Sequence, residues 1–258
     1  MKDITVEICA GSLSDVLTAC KFNETDRIEL SNALELGGLT PSLQTFLQSR
    51  KLTDKEILCR IRPRAAGFRY NKQEKEIIFA DAQTFLEYGE DGIVFGFLNY
   101  DLTVDEDTTG KMVSLIHGYG KEAVFHKAFD MTPDADKAVK TLIALGVDRI
   151  LTSGQKPDVA EGLSCIQHLQ KTYGNSIEIL PGGDINEKTI LPLLKETGCL
   201  QFHMSAKEMH QDNGTYYAVS ENQIRKVCNT IQSALFENRH TKTREDIDMM
   251  RKDAYESK

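Results

Sequence analysis

Several short stretches of this chain carry side chains that can bind a metal, hold an anion or move a proton. Glu7 precedes Cys9, Glu29 precedes Ser31, and Arg60, Arg62 and Arg64 follow one another at every second position. Further along come His126 with Asp130, the pair Ser153-Gly154, the pair Gly182-Gly183, and His203 with Ser205. Glu7, Glu29, Arg62, His126, Asp130 and His203 form a candidate catalytic set. Carboxylates and imidazoles exchange protons within hydrogen-bond reach of a substrate. Arg64 joins Arg62 as a candidate anion ligand, because a guanidinium grips an oxyanion with two N–H groups. Gly182, Gly183 and Ser205, with Ser153 and Gly154, are candidate phosphate ligands through backbone N–H groups and hydroxyls. Cys9 is the candidate metal ligand, since Cu(I) prefers soft sulfur.

These residues act together only if the fold gathers them. Strand-like runs cover 4–9, 26–31, 56–62, 91–95, 122–127, 148–152, 176–180 and 200–204. Their starts recur at about 22–35 residues, the length of a strand, a helix and two loops. Helix-period segments lie between them, such as Leu13, Val16, Leu17 and Cys20, or Ile224, Val227, Cys228 and Ile231. Ser12 and Asn186 precede the first and seventh helical segments as caps. Eight alternating units predict an α/β fold of the (β/α)8 TIM-barrel class. An open doubly wound sheet is the competitor, but the turn Cys9-Ala10-Gly11-Ser12 lacks the GxGxxG pattern of its usual phosphate loop. The barrel is expected over 1–238 as one domain, followed by a charged tail over 239–258.

In such a barrel, functional groups sit at the C-terminal strand ends. Alternate residues of a strand share one face. Glu7 and Cys9, Glu29 and Ser31, Arg60 and Arg62, His126, and His203 and Ser205 then point into one mouth. Buried charges cost several kcal/mol each unless paired or functional. The set therefore either closes the barrel as an internal ionic network or lines a polar ligand pocket. Convergence of five strands at one end favours the pocket. An isomerase, aldolase or hydrolase acting on a small anionic or phosphorylated ligand would fit.

The remaining cysteines read as structural. Cys20 and Cys228 lie on apolar helix faces, Cys59 has the parity of the helix layer, and Cys199 sits at the bottom of the eighth strand. Cys165 is undecided. No CxxC occurs among the 6 cysteines, and no HExxH motif is present. A reducing cytoplasm is expected. The first apolar run is broken by Asp3 and Glu7 and is too short for a signal sequence. No run is long enough to span a membrane. The net charge of −8 argues against nucleic acid as a partner.

The ordered segments Glu7-Ile8-Cys9, Asp26-Arg27-Ile28-Glu29-Leu30, Gly37-Gly38-Leu39-Thr40-Pro41-Ser42, Ile61-Arg62-Pro63-Arg64, Phe125-His126-Lys127-Ala128-Phe129-Asp130-Met131, Leu151-Thr152-Ser153-Gly154-Gln155, Pro181-Gly182-Gly183 and Phe202-His203-Met204-Ser205-Ala206 closely resemble the CutC family of copper homeostasis proteins. The resemblance spans about residues 4–236. It implies a cytoplasmic (β/α)8 barrel that forms homo-oligomers, here expected as a dimer, and that binds copper(I). The family's first proposed copper ligand falls on Cys9. Its second falls on Ser31, whose hydroxyl is a poor Cu(I) donor. Two further departures are Ala65-Ala66-Gly67 in the loop after Arg64, which lacks the family's acidic group, and Lys127 in place of an arginine.

Overall fold

A computed structural model describes residues 4–236. The expected tail over 239–258 lies outside the described residues. Eight parallel strands alternate with helices: β1 (Thr5–Ala10), α1 (Leu13–Cys20), β2 (Arg27–Leu30), α2 (Leu43–Arg50), β3 (Glu56–Arg60), α3 (Lys72–Glu87), β4 (Gly92–Phe95), α4 (Glu106–Gly118), β5 (Glu122–Phe125), α5 (Ala135–Ala144), β6 (Arg149–Thr152), α6 (Leu163–Tyr173), β7 (Glu178–Pro181), α7 (Ile190–Glu196) and β8 (Gln201–Met204). An eighth helix, α8, covers 221–236. The strands pair in the order β7-β6-β5-β4-β3-β2-β1-β8. A single parallel bridge between Gly182 and His203 closes the ring. The result is the expected (β/α)8 barrel.

Side-chain alternation divides the interior in two. Ile8, Ile28, Ile57, Cys59, Ile93, Phe95, Phe125, Ile150, Ile179 and Phe202 face outward and are buried beneath the helices. Each such large apolar side chain stabilises the fold by about 1.5–3 kcal/mol. Inside the ring, Leu58, Val94 and Val124 form a separate small apolar cluster. Other inward positions carry Glu7, Arg27, Glu29, Arg60, Arg149 and His203, with Cys9, Leu151 and Leu180 between them. Cys59 has the outward parity expected of it.

Strand starts have a recurring device. Asp26, Asp91 and Asp148 stand just before or at the beginning of β2, β4 and β6. Each accepts a backbone N–H from the preceding strand: Val6 at 2.8 Å, Ile57 at 2.9 Å and Ala123 at 2.8 Å. This satisfies donors at the bottom of the barrel that the ladder leaves free.

Two local expectations shift. Ser12 caps α1 as expected, its Oγ accepting from Asp15 N–H. Asn186, however, organises a turn through Lys188 and Thr189, and α7 begins only at Ile190. The chain also inserts an antiparallel hairpin, β9 (Lys207–Gln211) and β10 (Thr215–Val219), between β8 and α8. It is tied to α1 by the Val219 N–H, which donates to Asp15 Oδ1 at 2.7 Å.

Candidate functional site

The inward residues of β1, β2, β3 and β8 meet at the C-terminal end of the barrel. Register sets the neighbours: Cys9 pairs with Glu29 across β1 and β2, and Glu7 pairs with His203 across β1 and β8. All four side chains are buried. Glu7 Oε2 accepts Arg27 Nε–H at 2.5 Å, and Glu7 Oε1 meets His203 Nδ1 at 2.6 Å. Glu29 Oε1 accepts Arg60 Nε–H at 2.9 Å and the Ser31 hydroxyl at 3.2 Å. The Cys9 thiol donates to the same oxygen at 3.9 Å. Glu29 Oε2 is buried and has no hydrogen-bond partner.

Electrostatics fixes the charge states. Burial pulls the His203 imidazole down, but the Glu29 charge, the Cys9 sulfur and Glu7 outweigh it and push its pKa up to about 10. Burial would raise the Glu7 carboxyl, yet Arg27 and then His203 hold it well below the usual carboxylate range. A carboxylate, an imidazolium and a second carboxylate therefore stand in contact, flanked by two guanidiniums. The thiol of Cys9, the carboxylate of Glu29 and the ring of His203 each offer one donor atom, and these lie within 4.8 Å of one another.

A lid covers this end. The segment from Asn32 to Leu39 folds back on itself through a bridge between those two residues. Its carbonyls face the arginines: Gly37 O accepts Arg60 Nη1–H at 2.6 Å, and Leu36, Gly37 and Gly38 all accept from Arg62 Nη1. Gly38 has φ +80°, and a Cβ there would lie 2.8 Å from Arg60 Nη1. Glycine thus permits both the turn and the close approach.

His126 lies in the same region, packed on the ring of Phe68 with centroids 4.8 Å apart. Arg64 turns elsewhere. It pairs with Glu74 at 2.5 Å and stacks on Tyr70 at the start of α3.

The other candidates form a second group. Asp130 accepts the backbone N–H groups of Ser153 and Gln155 at 3.0 Å each, with the hydroxyls of Thr152 and Ser153. Lys127 stands 3.8 Å from its other side. Asp130 thereby holds the turn after β6 in place. Gly154 packs on Gly162 so closely that a Cβ would meet Gly162 O at 2.3 Å. Gly183 approaches Ser153 and Lys127. Ser205 lies apart, lining a cavity of about 360 Å³ between the turn that precedes α7 and the α8 residues Gln223 and Val227.

Gly182 belongs with the first group. A Cβ there would lie 2.6 Å from Leu151 Cδ1 and 3.1 Å from His203 Cβ. Gly182→Ala is expected to lose about 1–3 kcal/mol through overpacking. At ~2–4 °C per kcal/mol, a thermal melt should register the loss. An unchanged midpoint would show that the His203 ring has room to move.

Sequence reasoning missed Arg27 and Arg149. Both are buried, and both sit at the opposite, N-terminal end of the ring. Arg149 bridges Glu122 and Glu178, at 2.9 and 2.7 Å. Arg27 has the parity of Glu29, two residues earlier, and that was the available signal.

Comparison with known proteins agrees with this architecture. A model of the CutC family matches residues 4–208. A CutC family protein of Treponema denticola is 43% identical over 215 residues, covering 83% of this chain and 86% of that protein. The human copper homeostasis protein cutC homolog is 34% identical over 209 residues, covering 81% of this chain and 75% of its own. The crystal structure of a copper homeostasis protein CutC from Streptococcus agalactiae superposes with a TM-score of 0.73 at 30% identity, covering 78% of this chain and 98% of that one. A 3-hexulose-6-phosphate synthase from Salmonella typhimurium shares the fold alone, with a TM-score of 0.59 at 14% identity. With the family model spanning most of the barrel and relatives matching over four-fifths of its length, this chain belongs to the CutC family.

Proposed function

We propose that this protein serves copper homeostasis by binding Cu(I) at the C-terminal end of its barrel, with Cys9, His203 and Glu29 as donors. The observation that carries the reading is the convergence of a thiol, an imidazole and a carboxylate within 4.8 Å of one another. The donor chemistry fits. Sulfur suits Cu(I), and imidazole suits copper generally. The unpartnered Glu29 Oε2 is a buried acceptor that a cation would satisfy. When bound, the copper ion supplies a soft cation. The chain would supply the rest: Cys9 as a thiolate and His203 as a neutral imidazole, their protons released to water, would hold the ion with Glu29, and Glu7 and Arg60 orient the ring and the Glu29 carboxylate.

Ser31 and Cys9 hydrogen-bond to the same Glu29 oxygen, so the hydroxyl stands where a second thiol would serve. An anaerobic Cu(I) titration against a competing chelator tests the site. Cys9→Ala is expected to lose at least about tenfold in affinity, ~1.4 kcal/mol. Ser31→Cys is expected to gain, because a second soft ligand replaces a hard one. Equal affinities in wild type and Cys9→Ala would remove Cys9 from the site.

A second reading is an acid/base enzyme acting on a small anion. The buried Glu7–His203 hydrogen bond favours it, as a carboxylate and an imidazole that can exchange a proton. Against it, Glu7 and Glu29 are already committed to Arg27 and Arg60. Among the described residues no helix is long and apolar enough to cross a membrane. Cytoplasmic residence is supported by six free cysteines. The homodimer rests on the family resemblance, and light scattering of the purified protein reads it directly.

A further inference from the structure

The copper reading leaves one buried cation and two buried donors at the barrel mouth unexplained. Arg62 is 5% exposed. Its neighbours Arg60 and Arg64 each have a carboxylate, Glu29 at 2.6 Å and Glu74 at 2.5 Å. Arg62 has none within 4.0 Å among the described residues. Its terminal nitrogens donate to backbone carbonyls, Nη1 to the lid and Nη2 to Ala66 O. Its Nε–H is buried without a partner. A buried charge faced by carbonyl dipoles, the Phe68 ring and the Tyr70 side chain, with no carboxylate beside it, is costly unless an ion of opposite sign joins it.

His126 presents a matching vacancy in hydrogen bonding. It is 1% exposed. Its Nδ1 accepts the Ala128 N–H at 3.2 Å, which places the proton of the neutral ring on Nε2. Nε2 is buried and unpartnered. The ring is kept neutral by burial first, and then by the charges of Arg60 and Arg62. Both groups rest on one aromatic side chain: Arg62 Cζ lies 4.9 Å from the Phe68 centroid, and the His126 ring 4.8 Å from it.

We propose that Arg62 Nε–H and His126 Nε2–H form a subsite for a small carboxylate, one oxygen to each donor, with Phe68 against the apolar remainder of the ligand. The charge count selects the carboxylate. One guanidinium and a neutral imidazole supply one positive charge and two N–H donors. A phosphate monoester would bring a charge of about −1.5 to −2 and more acceptors than these two donors can satisfy. The arginine's Nη1 and Nη2 each already donate to backbone carbonyls. The site uses none of Cys9, Glu29 or His203. It rests on the anion-binding part of the second reading and narrows it to a ligand class.

The test is a nitrogen–proton correlation spectrum of the histidine rings in the full chain, recorded at neutral pH and constant ionic strength with acetate, inorganic phosphate or chloride added. The His126 Nε2–H resonance is identified by its absence in His126→Gln. Acetate is expected to move it saturably below about 0.1 M, a weak but specific affinity. Phosphate and chloride are expected to leave it in place. Arg62→Lys keeps the charge but lacks the fixed Nε–H, so about a tenfold loss of acetate affinity is expected. No saturable movement with acetate overturns the proposal. A stronger response to phosphate overturns the carboxylate assignment while leaving an anion site standing. Where Arg62→Lys fails to fold, the wild-type spectrum still decides. Cu(I) affinity is read separately on Cys9→Ala, so the two sites fail independently.

Discussion

Glu7→Gln is expected to destabilise the protein by about 3–5 kcal/mol, the cost of removing one partner from a buried ion pair. Glu7 is 1% exposed, and it is the nearest carboxylate to both Arg27, at 2.5 Å, and the His203 imidazolium, at 2.6 Å. Gln keeps the shape and most of the hydrogen bonding but removes the charge. Arg27 then has Glu56 at 3.9 Å, on the rim, and the neutral Gln201. Urea unfolding reads the loss as a lower midpoint. A companion double variant, Glu7→Leu with Arg27→Met, is expected to recover much of it, since a buried pair replaced whole by apolar groups is often neutral. A loss below about 1 kcal/mol in Glu7→Gln would mean that the pair behaves like one at the surface.

Glu90→Gln is expected to stabilise the protein above about pH 4.5, with the full gain reached from about pH 7 upward. Glu90 sits in the turn between α3 and β4, has no exposed surface, and neither carboxyl oxygen has a partner. Burial first, opposed by Lys121 and assisted by Asp91, pushes its pKa from 4.5 up to about 7. An acid held above its unfolded value binds more protons when folded. Its favourable contribution is present below pH 4.5 and is lost as pH rises through about 7. A shift of this size corresponds to no more than about 3 kcal/mol. Gln stays neutral throughout. The wild type should therefore lose stability between mildly acidic and mildly alkaline buffer while Glu90→Gln does not. Parallel curves would show that Glu90 reaches water in the folded protein.

The barrel was legible because its signal repeats. Apolar runs rich in Ile and Val alternate with 3.6-period segments, and polar or charged residues at alternate positions of β1, β2, β3 and β8 mark the inward face. Glu7, Cys9, Glu29 and His203 could be placed at one mouth by that parity alone. Their partners could not all be found, because pairing depends on register between strands. Arg27 serves Glu7 across β1 and β2; its parity with Glu29 turns it inward, but the partner it meets there follows only from register. The hairpin had a local signal, Asp212-Asn213-Gly214 before the alternating Thr215-Tyr216-Tyr217-Ala218-Val219. Counting eight units put an α helix directly after β8 and left this signal unread. Asp130 has the residue type of a proton donor, but its surroundings make it an acceptor for a turn.

The junction between β7 and β8 has a meaning beyond closure. An open sheet of this length would expose two strand edges, and unpaired edges are templates for aggregation. Here the two potential edges are joined by one bridge, Gly182 to His203, with the imidazole packed against the glycine. The same strand serves both borders: β8 pairs with β1 to set His203 beside Glu7, and on its other side His203 bridges Gly182 of the β7 end. Displacing β8 would therefore take the imidazole from Glu7 and bare the edges of β1 and β7 together. Solubility and the integrity of the site in this protein depend on one strand.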